Sequence, residues 1–185
     1  MTINQLISDA LRMIGRNDFA EQLEANDGEG EVGRAARTLL FCYNAVADEL
    51  ARCYFPLKKE ETLTSSDGRF AFESFSMPPV KILDVTADGK RVEWDISPGY
   101  LVCEKQTVNV VYNYAPPKAE AVDEFLYPDA EVGARMVCYG MAAEYFLICG
   151  EVSLANAWEQ RYRGEIDSVL GRRTVKDRVP PRRWL

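Results

Sequence analysis

The sequence predicts an α+β fold: a helical bundle of about four helices with an inserted small antiparallel β unit and an extended C-terminal arm. Three observations predict it. Apolar residues recur at helical spacing before residue 55 and after residue 129, they switch to a two-residue spacing in between, and the last fifteen residues follow neither period. At 47% hydrophobic and 28% charged residues over 185 positions, the chain has the composition of a folded domain rather than a disordered one.

The elements follow in order. Thr2 and Gln5 have the spacing of a capping box, and Ile3, Leu6, Ile7, Ala10, Leu11 and Ile14 share one helical face, so a first helix is expected over about 2–15 with Gly15 ending it. The acidic stretch Asp18 to Gly33 reads mainly as loop, with at most a helical turn around Phe19 to Leu23. A long helix is expected over about 32–54, on the face Val32, Ala36, Leu39, Leu40, Tyr43, Val46, Ala47, Leu50 and Tyr54, and Pro56 stops it. The β insertion is expected over about 57–115 as four or five strands. Its signals are Phe70/Phe72, Val80/Ile82, Val92/Trp94/Ile96, Tyr100/Val102 and Val108/Val110/Tyr112/Tyr114, with turns at Asp67-Gly68, Asp88-Gly89 and Ser97-Pro98-Gly99. Two more helices are expected over about 129–148, apolar nearly all round, and 152–170, with Gly171 as its stop. Residues 1–170 thus read as one domain and 171–185 as an arm.

Formal charge is −7, unevenly distributed. Residues 171–185 hold six basic residues (Arg172, Arg173, Lys176, Arg178, Arg182, Arg183) against Asp177, whereas the other 170 residues hold 16 basic and 28 acidic ones. An acidic body therefore carries a basic tail. Within that tail Val175, Val179, Trp184 and Leu185 lie among the charges, a mixture suited to docking on a protein partner, where Trp and Arg are favoured anchors. Contact with nucleic acid, or no specific role, are the other two readings.

Candidate chemistry is sparse. The chain has no histidine, which removes Ser-His-Asp and Cys-His catalysis and every imidazole zinc site. Gly28-Glu29-Gly30-Glu31-Val32-Gly33 satisfies GxGxxG, but no strand precedes it and Glu29 and Glu31 would repel a phosphate. Asp27, Glu29 and Glu31 lack the spacing of a calcium loop, and nothing holds Asp123, Glu124, Asp129 and Glu131 as a catalytic carboxylate pair. The five cysteines are odd in number and at least eleven apart, which fits small core residues better than disulfides or zinc ligands. Cys42/Cys53 and Cys138/Cys149 are each three helical turns apart and are expected on one face. No enzyme activity, cofactor or metal is expected. Nor is a membrane span, since the longest apolar stretch, Met136 to Gly150, is broken by Glu144 and falls short of about 20 residues, nor a signal peptide, since Met1 to Gln5 lacks a basic segment leading into an apolar block; a reducing, cytoplasmic origin is the default.

The order of parts, with the opening Thr2-Ile3-Asn4-Gln5-Leu6-Ile7-Ser8-Asp9-Ala10-Leu11-Arg12-Met13-Ile14-Gly15, resembles the head-to-tail adaptor (connector) proteins of tailed bacteriophages and prophages, in particular the tail accessory factors of short-tailed phages. Leu126-Tyr127-Pro128-Asp129 followed by Gly140-Met141-Ala142-Ala143-Glu144-Tyr145 is similar to the family's third-helix pattern. The resemblance implies a structural virion subunit at the head–tail junction, made in the host cytoplasm. Such subunits form a ring, commonly of twelve copies, that binds the portal protein, supports downstream tail proteins and lets DNA pass without sequence-specific binding. Isolated subunits of such rings often stay monomeric. By position it implies portal or neighbouring-subunit contacts for Arg172, Arg173, Lys176, Arg178, Arg182, Arg183, Trp184 and Leu185, and a tail-facing hairpin at Asp88-Gly89. The rival expectation is a nucleic-acid-binding regulatory protein that uses the same basic arm.

Overall fold

The computed structural model describes residues 1–25, 29–127 and 132–177, with side chains as far as Arg172. The chain folds into two compact units, one made of Met1–Ala47 and the chain from Ala119 onward, the other of Asp48–Lys118.

In the first unit, α1 (Ile3–Met13) starts on the expected capping box: Gln5 N–H donates to Thr2 Oγ1 at 3.3 Å and Thr2 N–H to Gln5 Oε1 at 2.8 Å. Its last carbonyls are closed by Gly15 N–H to Arg12 O and Arg16 N–H to Leu11 O. A bridge from Thr2 to Glu124 fastens its start, with Ile3 N–H donating to Asp123 O and Phe125 N–H to Met1 O. The expected loop after Asp18 is instead an eight-residue helix, α2 (Asn17–Glu24). It buries only Ala20 and Leu23, too few positions to show a period, and a two-pronged Arg12–Glu24 pair at 2.7 Å ties it to α1.

Helix α3 (Gly30–Glu49) buries Val32, Leu39, Cys42, Tyr43 and Val46, then widens into a π-helical turn at Leu50–Tyr54. Asn44 uses its amide as a peptide would. Its Nδ2 donates to Ala119 O at 3.2 Å and its Oδ1 accepts from Ala119 N–H at 2.7 Å, which secures the returning chain.

Helices α4 (Ala134–Ile148) and α5 (Val152–Asp177) form an antiparallel hairpin, turned by Gly150 N–H to Leu147 O and Glu151 N–H to Phe146 O. Ala155, Tyr162, Ile166 and Val169 are the buried stripe of α5. Tyr139 packs on Trp158 with ring centroids 5.6 Å apart, and Arg135 pairs with Glu165. Gly140 and Ala143 are buried inside this unit, Gly140 against Val46 and Tyr162; Gly133 is the uncrowded N-cap of α4.

The second unit departs furthest from expectation. The single small β unit is corrected to two antiparallel sheets with seven strands, and the bundle of about four helices to five helices, among the described residues. One sheet has the order β1-β7-β3-β4, from β1 (Leu57–Thr64), β3 (Pro79–Ala87), β4 (Lys90–Arg91) and β7 (Thr107–Tyr114). The other has the order β2-β6-β5, from β2 (Arg69–Ala71), β5 (Trp94–Ser97) and β6 (Tyr100–Cys103). Asp67-Gly68 is therefore no hairpin, because β1 pairs with β7 and β2 with β6. It is the crossing from one sheet to the other. Between them lies one apolar layer that includes Phe70, Phe75, Val85, Leu101, Val108, Val110 and Tyr112. Val80 and Ile82, expected on one face, are split by bulges in β3, so Val80 and Leu83 are exposed while Ile82 is buried.

Glu61 on β1 accepts from Tyr112 Oη at 2.7 Å and from the Ser76 N–H and hydroxyl. Burial alone would push its carboxyl up, but the bonds from Ser76 and Tyr112 outweigh it and hold the group below the usual carboxylate range. A carboxyl depressed on folding adds stability that is fully present above its unfolded value, near about 4.3, and is lost as pH falls through the folded one. Thermal melts across this acid window should show wild-type stability dropping faster with falling pH than that of Glu61→Gln.

Candidate interaction surfaces

The helix that was to stop at Gly171 runs on to Asp177, so the first half of the expected arm is helical. Glycine lowers helix stability without forbidding it, and a Cβ at Gly171 would meet nothing within 4 Å. Arg172 folds back along its own helix, donating from Nε to Ser168 O at 3.1 Å and from Nη2 to Ser168 Oγ at 3.4 Å. Arg173 and Lys176 sit on the same helical backbone. Arg178, Arg182, Arg183, Trp184 and Leu185 lie outside the described residues.

The hairpin at Asp88-Gly89 is present between β3 and β4, closed by the pairs Thr86/Arg91 and Ala87/Lys90. Both loop residues have positive φ, 51° and 73°, as a two-residue turn of type I′ requires. Asp84 pairs with Arg91 across its base at 3.2 Å.

Two surfaces were not legible in advance. At the corner between α4 and α5, Leu147 and Val152 are each 56% exposed, and Ile148 and Leu154 are exposed beside them. Such a run of neighbouring apolar side chains marks an interaction surface more often than scattered single ones do. The other surface is in the second unit, at the open end of the β5–β6 ladder. There a cleft of about 590 Å³ is walled by Val92, Trp94, Val102 and Cys103. Glu93, Asp95 and Glu104 rim it, against the single cation Lys105.

The pairings explain why this cleft stays open. Trp94 and Ile96 stand opposite Cys103 and Leu101, so they share the face that carries the apolar layer. Cys103 and Leu101 are buried, yet Trp94 and Ile96 remain 37% and 48% exposed because β5 is the sheet's edge. Asp95 turns its carboxylate onto the following Ile96 N–H at 2.8 Å, which occupies an edge donor that another strand could use. The alternation Val92/Trp94/Ile96 marks a strand, and the clue to an open cleft is the acidic residues interleaved with it.

The remaining candidates resolve into structural roles or fall outside the described residues. Burial pushes the Cys42 and Cys138 thiols up to about 12, with Glu144 adding to the effect at Cys42, so both are unreactive core groups near neutral pH. Cys53 and Cys149 do not share those buried faces. Both are exposed, Cys53 in the π-helical turn that shifts the helix phase and Cys149 at the C-cap of α4. Asp123 accepts Glu120 N–H at 2.7 Å as a turn cap, while Asp129 and Glu131 are outside the described residues. Glu31 lies in the first turn of α3, which begins at Gly30, and Asp27 and Gly28 are likewise not described. Among the described residues no three Cys, Asp or Glu side chains gather as a metal site, and no helix is long and apolar enough to cross a membrane.

No protein-family model matches the chain. No curated protein matches it either.

Proposed function

We propose that the chain is a non-catalytic structural subunit of a phage head–tail junction, a head-to-tail adaptor that packs beside copies of itself under a portal ring and extends the DNA channel. The observation that carries the reading is the polarity of the chain. A body holding 28 acidic and 16 basic residues bears uncovered apolar surfaces at the α4–α5 corner and beside β5, while residues 171–185 hold six basic residues and one acidic one. Unlike surfaces on one chain produce head-to-tail contacts, and these close into rings when the rotation allows. The acidic body suits a channel wall, because it repels the DNA backbone. The hairpin at Asp88-Gly89 is the element we assign to the next tail protein.

The course of α5 dictates the test. Removing residues 171–185 would cut seven helical residues, so the informative truncation ends at Asp177. The shortened chain should keep its far-UV circular dichroism and lose co-sedimentation with portal rings. Undiminished co-sedimentation would overturn the role of the arm. Loss of DNA binding with a steep salt dependence would favour the nucleic-acid-binding regulator instead.

A further inference from the structure

We infer that the acidic cleft at the open end of the β5–β6 ladder receives segment 178–185 of a second copy of this chain. The inference deepens the adaptor reading, on which it rests for its setting, by naming the surface that one subunit offers to the arm of the next.

Charge and shape complementarity identify the occupant. The cleft sets three carboxylates, Glu93, Asp95 and Glu104, around apolar walls that include an uncovered tryptophan, Trp94. Segment 178–185 has the converse composition: Arg178, Arg182 and Arg183 with no acidic residue, interleaved with Val179, Trp184 and Leu185. Arginine forks match carboxylates in geometry as well as charge, and an indole supplies a large apolar area to a pocket wall. The cleft's volume, about 590 Å³, falls in the range of sites that enclose a few side chains rather than a whole domain. Eight residues of any sequence span at most roughly 26–29 Å, which bounds the reach of the segment. Asp95 already occupies the Ile96 N–H, so recognition works through side chains in the cleft and not through an added strand.

The test is fluorescence anisotropy of a labelled peptide of residues 178–185 titrated with the full-length chain. Saturable binding is expected, weakened at least tenfold by Trp94→Ala and by the pair Glu93→Lys and Asp95→Lys, both on exposed positions where the fold should survive. A peptide carrying Arg182→Glu and Arg183→Glu should in turn bind the lysine-bearing chain. Full-length chains carrying the arm changes and the cleft changes should form a one-to-one complex when mixed, seen by sedimentation velocity, which places the contact between copies. Absent binding, binding unmoved by the cleft variants, or mixed chains that stay monomeric would each overturn the inference. Peptide binding without portal attachment would remove the adaptor reading alone, and portal attachment without peptide binding would remove this contact alone.

Discussion

Gly68→Ala should destabilise the second unit by about 3 kcal/mol or more, the largest loss expected from a single methyl group in this chain. Gly68 is buried at the crossing between the sheets with φ at 74°, and its carbonyl accepts Cys103 N–H at 3.0 Å. A Cβ there would stand 2.2 Å from Cys103 O, a backbone atom with no rotamer to yield. The turn is held from the other side as well. The Ser65 hydroxyl and the Arg69 N–H donate to the Asp67 carboxylate and keep it below the usual carboxylate range. Gly89→Ala is the internal comparison, since Gly89 has nearly the same φ, 73°, with nothing within 4 Å. It should cost only the left-handed strain, about 1–2 kcal/mol. Urea melts of the two variants separate conformational strain from collision. Equal losses would mean that the close approach at Gly68 is relieved without cost.

Gly140→Leu should have a comparable effect on the first unit, about 3 kcal/mol, or roughly 6–12 °C in melting temperature. A Cβ at residue 140 already lies 2.9 Å and 3.0 Å from the two Val46 methyl groups and 3.2 Å from Tyr162 Cε2, so three helices meet at this glycine. Helix propensity favours alanine over glycine by about 1 kcal/mol, and only this contact opposes it. Gly140→Ala should therefore be mildly destabilising in the wild-type background and less so once Val46→Ala has made room. A double-mutant cycle reads that coupling. Additive effects would place the crowding elsewhere.

How far the fold could be read in advance depended on whether a signal was local. The capping box at Thr2 and Gln5, the buried face of α1 and the turn at Asp88-Gly89 are each decided within a few residues, and the structure holds them where the pattern placed them. The division into two sheets is not local. β1 pairs with β7 some fifty residues away, and period-two spacing marks a strand without naming its partner. β1 also reads Leu-Lys-Lys-Glu-Glu-Thr-Leu-Thr, with little apolar contrast to betray it. α2 escaped because two buried residues make no period, and α5 outran its expected stop because an exposed glycine is a weak one.

The interaction surfaces divide in the same way. The basic character of Arg172, Arg173 and Lys176 was legible, but not that they ride on a helix that runs to Asp177. Trp94 and Ile96 carried the two-residue spacing of a strand. Only the sheet order shows that their strand is an edge whose apolar face is left open.

Electron microscopy of portal rings mixed with the full-length chain tests the adaptor reading most directly. The expected class averages show an added layer beneath the portal with the rotational symmetry of a closed ring, missing when the chain ends at Asp177. Portal rings that stay bare at saturating chain, or that bind the shortened chain equally well, would contradict it.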